Sequence, residues 1–424
     1  LQLDRDQYKA GDTIWYKAYL NADFLPDTMS SVLYVQLNKK GGDRIITKIS
    51  PVLLSTAQGF IELSDSLVSG DYFIKAFSPT MLNAGTDFVF QQSVLIKGKK
   101  KQIDTAMAVI PKPVISFFPE GGNFVAGISN SVAFKCVDQW NRPVNISLSI
   151  LNSANDTITS ATTVHDGMGV VDMTPLAPEN YRAVFSYQGQ YYSQPLPTAM
   201  SSGVSVTFLP HPQGSYFEFR IAGTSADQKP AYMLGQWQHQ VVFKQNLNAA
   251  NNEIQGVLDT RKLHSGILQI TLFNKDNMPL AERLVFVDNK EYVQSAELKM
   301  DTLSVLPRGK NVLQVNFPDT VQGSFSVAVT DADYAVAPQV EQSIISSFLL
   351  SSDIKGTINN PSWYFSSDED SVKTALDLLL MTQGWRRFSW KKLDQQANAE
   401  LKYKDPSFIT VTGKVTMKDS NKPI

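Results

Sequence analysis

At 424 residues the chain is longer than one hydrophobic core can hold, and about 100–150 residues per domain predicts three to four domains. Hydrophobic residues make up 43% and charged residues 18%, which excludes general disorder. A formal charge of -2 excludes a strongly basic nucleic-acid-binding class, and the single cysteine excludes an intramolecular disulfide.

The N-terminal stretch from Leu3 to Tyr19 reads strand, tight turn, strand. Gly11-Asp12 is turn chemistry, and Ile14, Tyr16 and Ala18 alternate with Trp15, Lys17 and Tyr19. Further period-2 runs follow at Ser31–Leu37, Ile45–Ile49, Asp71–Phe77 and Phe88–Ile96, so residues 1–98 are expected to form one antiparallel β-sandwich. Lys99, Lys100 and Lys101, the only basic run, read as a solvated connector.

A second sandwich is expected over 113–197, opening at Phe117-Phe118-Pro119-Glu120-Gly121-Gly122. Its strand Val132–Val137 places Cys136 on one face with Val132 and Phe134, which reads as a buried structural thiol. A third sandwich is expected over 203–289 and a fourth over 290–365. Glycines at 11, 127, 214 and 309 each precede an alternating strand, a domain-sized period and not a solenoid repeat. The fold class expected is therefore all-β, a tandem row of immunoglobulin-like sandwiches, with one late helix. In that helix Ser367 can cap, Asp368, Glu369 and Asp370 complement the dipole, and Val372, Ala375, Leu376, Leu379 and Leu380 follow at helical spacing up to Gly384. Helix and connector occupy 366–404. Residues 407–424 read as the start of a further domain, because one strand and a turn cannot fold alone.

No apolar run approaches the roughly 18 residues of a membrane-spanning helix, and no signal-peptide pattern is present. The chain opens at Leu1 already inside a strand pattern, which reads as a mature or trimmed segment.

Two sets of segments carry a resemblance. Tyr8-Lys9-Ala10-Gly11-Asp12-Thr13-Ile14-Trp15-Tyr16-Lys17-Ala18 resembles the second macroglobulin-type domain of the α2-macroglobulin superfamily, with Ala10 where that domain usually has proline. Phe118–Gly122, Pro279–Phe286, Leu350–Gly356 and Thr382–Arg387 resemble signature segments of large cell-envelope proteins of Bacteroidota, and Thr412–Ile424 resembles the start of a carboxypeptidase-regulatory-like domain. In such proteins a plug domain of the TonB-dependent type often follows. The resemblance implies a periplasmic or outer-membrane location. It implies as partners other envelope proteins or further domains of a longer chain. The thioester of the superfamily is not expected, because Cys136 is followed by Val137-Asp138-Gln139 where the reactive motif is Cys-Gly-Glu-Gln.

Reaction chemistry has no visible motif. His165, His211, His239 and His264 are scattered singly, with no zinc-ligand spacing, and neither a nucleophile elbow nor a phosphate loop occurs. No cofactor, metal or nucleic-acid partner is expected. The expected function is a non-enzymatic envelope scaffold or protein-interaction segment. Two other functions are weighed: a glycan-binding accessory module and a non-covalent protease-inhibitory macroglobulin relative. The binding candidates are aromatic and basic: Trp237, Trp363 and Tyr364 as a sugar platform, and Trp385, Arg386 and Arg387 as an alternating aromatic–basic stretch. Packing onto a sandwich is the competing role for all six.

Overall fold

The computed structural model describes every residue except 23–24, 41, 87–88, 100–110, 212–213, 225–228, 239, 248–252, 319–322, 331–341, 384–400 and 407–424. The described residues of 1–102, 327–338 and 395–424 make one compact unit, and those of 103–326 and 339–394 make a second.

In the first unit, Thr13–Tyr19 runs between Gln2–Leu3 and Thr56–Glu62 in a three-stranded sheet. A five-stranded sheet packs against it in the order Gln7–Lys9, Phe90–Lys97, Gly70–Phe77, Val32–Lys39, Arg44–Pro51. The alternation predicts which side chains face inward: Ile14, Tyr16 and Ala18 of the first sheet meet Val35, Leu37, Ile74 and Ile96 of the second in one core. Gly59 makes room inside it, since a Cβ there would sit 2.4 Å from the Tyr16 hydroxyl, which hydrogen-bonds Ser50.

The opening turn departs from the hairpin expected of Gly11-Asp12. Gln7–Lys9 and Thr13–Tyr19 lie in opposite sheets, because Gln7–Lys9 pairs in parallel with the end of Phe90–Lys97. That register buries Tyr8, whose hydroxyl donates to Asp4 and to the carbonyl of Arg5. The turn is still glycine-dependent: Gly11 has a φ of +89°, and a Cβ would stand 2.3 Å from an Asp65 oxygen. Asp12 closes it by accepting from the Lys9 amide at 2.8 Å and from Arg5 at 3.0 Å. Residues 401–406 return to this unit. The Asn83 amide exchanges two hydrogen bonds with the backbone of Tyr403, and Asp405 accepts from the amide and hydroxyl of Ser31.

The second unit contains two more pairs of sheets. Val114–Pro119, Asn130–Val137 and Met168–Met173 form three strands that face Thr157–Thr162, Ser147–Leu151, Arg182–Tyr187 and Gln190–Pro195. Val204–Pro210, Tyr216–Gly223 and Glu253–Asp259 face Gln240–Asn246, Tyr232–Trp237, Gly266–Phe273 and Pro279–Val287 in the same way. Cys136 is fully buried in the first of these cores, and burial pushes its thiol up to about 12, so it is inert near neutral pH.

Over 290–365 the described residues do not build a sandwich. Glu297–Thr302 pairs with Val312–Asn316 as a largely exposed two-stranded hairpin, and the chain then turns helical at Ile344–Ser346, Ser347–Ser351 and Pro361–Phe365. Leu350, at the end of these turns, and Ile354 and Ile358, in the irregular chain after it, are all buried beside the late helix. That helix spans Asp370–Thr382 and buries Val372, Ala375, Leu376, Leu379 and Leu380, the positions its periodicity predicts. It starts later than Ser367 would cap it. Glu369 occupies the cap position without a side-chain bond, and Asp368 instead pairs with Lys290 at 2.7 Å. Gly384 lies outside the described residues.

Candidate functional site

The polar site most unlike its surroundings lies in the second unit, where the two sandwiches and the late helix meet. Arg283 points out of the strand Pro279–Val287 into an interior that leaves its side chain only 3% exposed. An isolated guanidinium could not remain there, and three acceptors surround it. Its Nε donates to Glu120 at 2.8 Å, one Nη donates to Asp377 at 2.7 Å, and the other donates to the carbonyl of Leu284. Glu120 comes from the turn after Val114–Pro119 in the neighbouring sandwich, and Asp377 from the helix Asp370–Thr382. One cation thus holds carboxylates from two other structural elements.

The two carboxylates keep the Arg283 guanidinium charged. Burial works against the Arg283 charge, but Asp377 and Glu120 more than offset it and raise its pKa. Burial pushes the Glu120 carboxyl up by more than Arg283 pulls it back. Glu120 also accepts from the amide of Phe208 at 3.1 Å, in a strand of the third sandwich. These charge-assisted bonds link the second sandwich to the third and to the late helix.

The neighbouring contacts repeat the pattern. Asn123 donates to the carbonyl of Leu280 at 2.9 Å, and Ser205 to that of Ser129 at 3.0 Å. Gly121, at a φ of +79°, lies so close to the third sandwich that a Cβ would meet Val206 Cγ1 at 2.4 Å. Under the helix, Met168 of one sandwich and Ile267 and Leu284 of the other share a core with Leu350, Ile354, Ala375 and Leu379.

A second polar knot secures the helical segment to the turn before Met168. His165 stacks on Trp363 at a centroid distance of 3.7 Å and an interplanar angle of 10°. Asp166 accepts from Asn359 at 3.0 Å and from the Tyr364 hydroxyl at 3.5 Å. Burial lowers the His165 pKa by more than Asp166 raises it, so the ring stacks in its neutral form at pH 7 despite lying 3.4 Å from the carboxylate.

The expected sugar platform is not a platform. Trp237 is 3% exposed and belongs to the core of the third sandwich, where Gly266 lets the chain pass beside its indole nitrogen. Tyr364 is equally buried, and Trp363 is half-buried with one face covered by His165. Their aromatic character serves packing, the role that tandem sandwiches most often give such residues. Trp385, Arg386 and Arg387 lie outside the described residues.

Sequence reasoning missed the charge cluster, whose members are 163 and 94 residues apart. A signal was nevertheless present. Glu120 lies in Phe118–Gly122 and Arg283 in Pro279–Phe286, and Leu350–Gly356 supplies the apolar residues beneath the helix. These segments share no pattern with one another and converge on a single junction.

No family model and no curated protein matches this chain. Among solved structures it is similar to a variant of Salmonella alpha-2-macroglobulin, at 11% identity and a TM-score of 0.19, over 74% of this chain and 24% of that one. Escherichia coli alpha-2-macroglobulin activated by porcine elastase matches at 10% identity and a TM-score of 0.21, over 70% and 31%. A tetra-tandem repeat from the extending region of a large adhesion protein matches at 12% identity and a TM-score of 0.19, over 73% and 84%. The chain spans only about a quarter to a third of the length of these two macroglobulins, and its own sheets, not these overlays, define the fold.

Proposed function

We propose that this chain is a non-enzymatic scaffold segment of a larger bacterial cell-envelope protein of the macroglobulin-like kind. It sets the spacing and orientation of whatever its two ends connect. The observation that carries this reading is the Arg283–Glu120–Asp377 cluster, which joins two sandwiches and a helix through buried charge. A linker that only tethers needs no such device, since ordinary inter-domain contacts leave relative motion free. A buried ion pair is also a poor way to gain stability alone, because apolar residues of similar volume usually do as well. Its use here is orientational: the bonds are satisfied in one arrangement of the three elements.

The covalent chemistry of thioester macroglobulins has no counterpart, because Cys136 is buried, raised in pKa and followed by Val137 and Asp138. The periplasm or outer membrane suits a segment of this type, with other envelope proteins or further domains of the full-length chain as partners. No helix among the described residues is long and apolar enough to cross a membrane. The segment resemblances favour a Bacteroidota protein with carboxypeptidase-regulatory-like and TonB-dependent plug-like domains downstream.

Spin labels on Thr157→Cys and Asp276→Cys, one on each sandwich of the second unit, test the reading by electron–electron distance measurement. The proposal expects one narrow distance distribution in the parent and a broadened one in Arg283→Met. A broad distribution in the parent, or a hydrolytic activity of the purified protein abolished by a single point mutation, would overturn it.

A further inference from the structure

Two exposed aromatic residues, Trp15 and Phe60, stand side by side in the first unit, on the outer face of its three-stranded sheet. Strand alternation sends Ile14, Tyr16 and Ala18 inward and leaves Trp15, Lys17 and Tyr19 on the other side. On the adjacent strand Ala57 and Ile61 face the core, while Gln58, Phe60 and Glu62 face out. The register then builds rows: Trp15 opposite Phe60, Lys17 opposite Gln58 and also Gln2, Tyr19 opposite Thr56.

Trp15 is 57% exposed and Phe60 42%, and their rings touch at a centroid distance of 5.2 Å. Burying such rings against a ligand would gain free energy. Cations flank the rings. Lys48 reaches over Phe60 with its ammonium 5.4 Å from the centroid, and Lys17 lies 5.3 Å from the Tyr19 centroid. Glu62 stands beyond the aromatic pair, opposite Thr13, and is the acidic member of these rows. Between the rings lie side-chain amides, Gln2 and Gln58, that can both donate and accept.

We infer that this face binds an acidic glycan of uronic-acid type. Flat apolar rings fit the C–H faces of sugar rings, the amides match hydroxyl groups, and the lysines match carboxylates. Trp15 and Tyr19 are four residues apart on one strand, about 13–14 Å, so an extended oligosaccharide can lie along it and contact both. An apolar protein partner would leave the amides and ammonium groups facing carbon. A phosphate-rich ligand would call for the forked guanidinium donors that the rows lack. This inference stands apart from the junction in the second unit and does not depend on it.

The test is titration of the protein with oligogalacturonates of graded length and, in parallel, with neutral galacto-oligosaccharides. The expected result is saturable binding of the acidic series that strengthens with length and weakens with salt. Trp15→Ala should reduce affinity at least tenfold, and Lys48→Gln should reduce it several-fold and flatten the salt dependence, both with an unchanged melting temperature. Absence of binding to the acidic series, equal binding of the neutral series, or unchanged affinity in Trp15→Ala would each overturn the inference. Concentration-dependent dimerisation abolished by Trp15→Ala would overturn it too, by assigning the face to a second copy of this chain.

Discussion

Two aromatic clusters of the molecule use similar side chains for opposite ends. In the second unit, Trp363 lies against His165, and Tyr364 donates to Asp166, so each ring is committed to holding a helical segment on a sandwich. In the first unit, Trp15 and Phe60 touch each other, with Lys48 over Phe60, and keep much of their ring surface exposed. The difference is not one of residue type. It comes from what each ring meets: a histidine and a carboxylate of a sandwich turn in one case, a second exposed ring in the other. An aromatic residue in a sandwich protein therefore says little about binding until its face of the sheet is known.

The comparison can be broken most forcefully at the charge cluster. Arg283→Met leaves Glu120 buried without its cation and should destabilise the second unit by about 3–5 kcal/mol in urea unfolding. Adding Glu120→Gln should recover part of that loss, because the stranded charge is then gone. Gly121→Ala comes next, at about 1–3 kcal/mol, since it forces a Cβ against Val206 at a positive φ. Both variants should leave the first unit's unfolding unchanged.

The aromatic clusters themselves sharpen the contrast. Trp363→Ala should cost about 2 kcal/mol through lost burial and the lost stack on His165, whereas Trp15→Ala should stay within about 0.5 kcal/mol. A pH series adds a finer distinction. Folding lowers the His165 pKa below its ordinary value of 6.5, so the neutral ring's contribution is present above that pH and is lost as the pH falls through the folded value. Stability of the second unit should accordingly decline on acidification from about pH 6.5, by a small amount because the ring is only partly buried. His165→Gln should flatten that slope.

Much of the architecture was legible because strands alternate strictly. Ile14, Tyr16 and Ala18 are buried as their spacing predicts, and so are Val132, Phe134 and Cys136. The late helix was legible from its apolar periodicity, though its start was not: Glu369, not Ser367, holds the cap position, and Asp368 pairs with Lys290. Local pattern failed where pairing is distant. The Gly11 turn carries the chemistry of a hairpin, yet the parallel partner of Gln7–Lys9 lies some ninety residues away at Leu95–Lys97. The helical turns of 344–365 were hidden because short helices take their stability from what they pack on, here two sandwiches. The pairing within the Arg283 cluster left no local periodicity, since its members come from remote segments. Trp237, Trp363 and Tyr364 were chosen for their chemistry, and only burial shows that the chemistry is used for packing.

Amide hydrogen exchange on the parent and on Arg283→Met tests most directly whether the two sandwiches of the second unit move as one body. The account predicts that Val114–Pro119 and Pro279–Val287 share one opening free energy in the parent, and that both lose protection together in the variant. If the two strands open with separate free energies in the parent, or if only Pro279–Val287 responds to the substitution, the junction does not couple the sandwiches and the scaffold reading is contradicted.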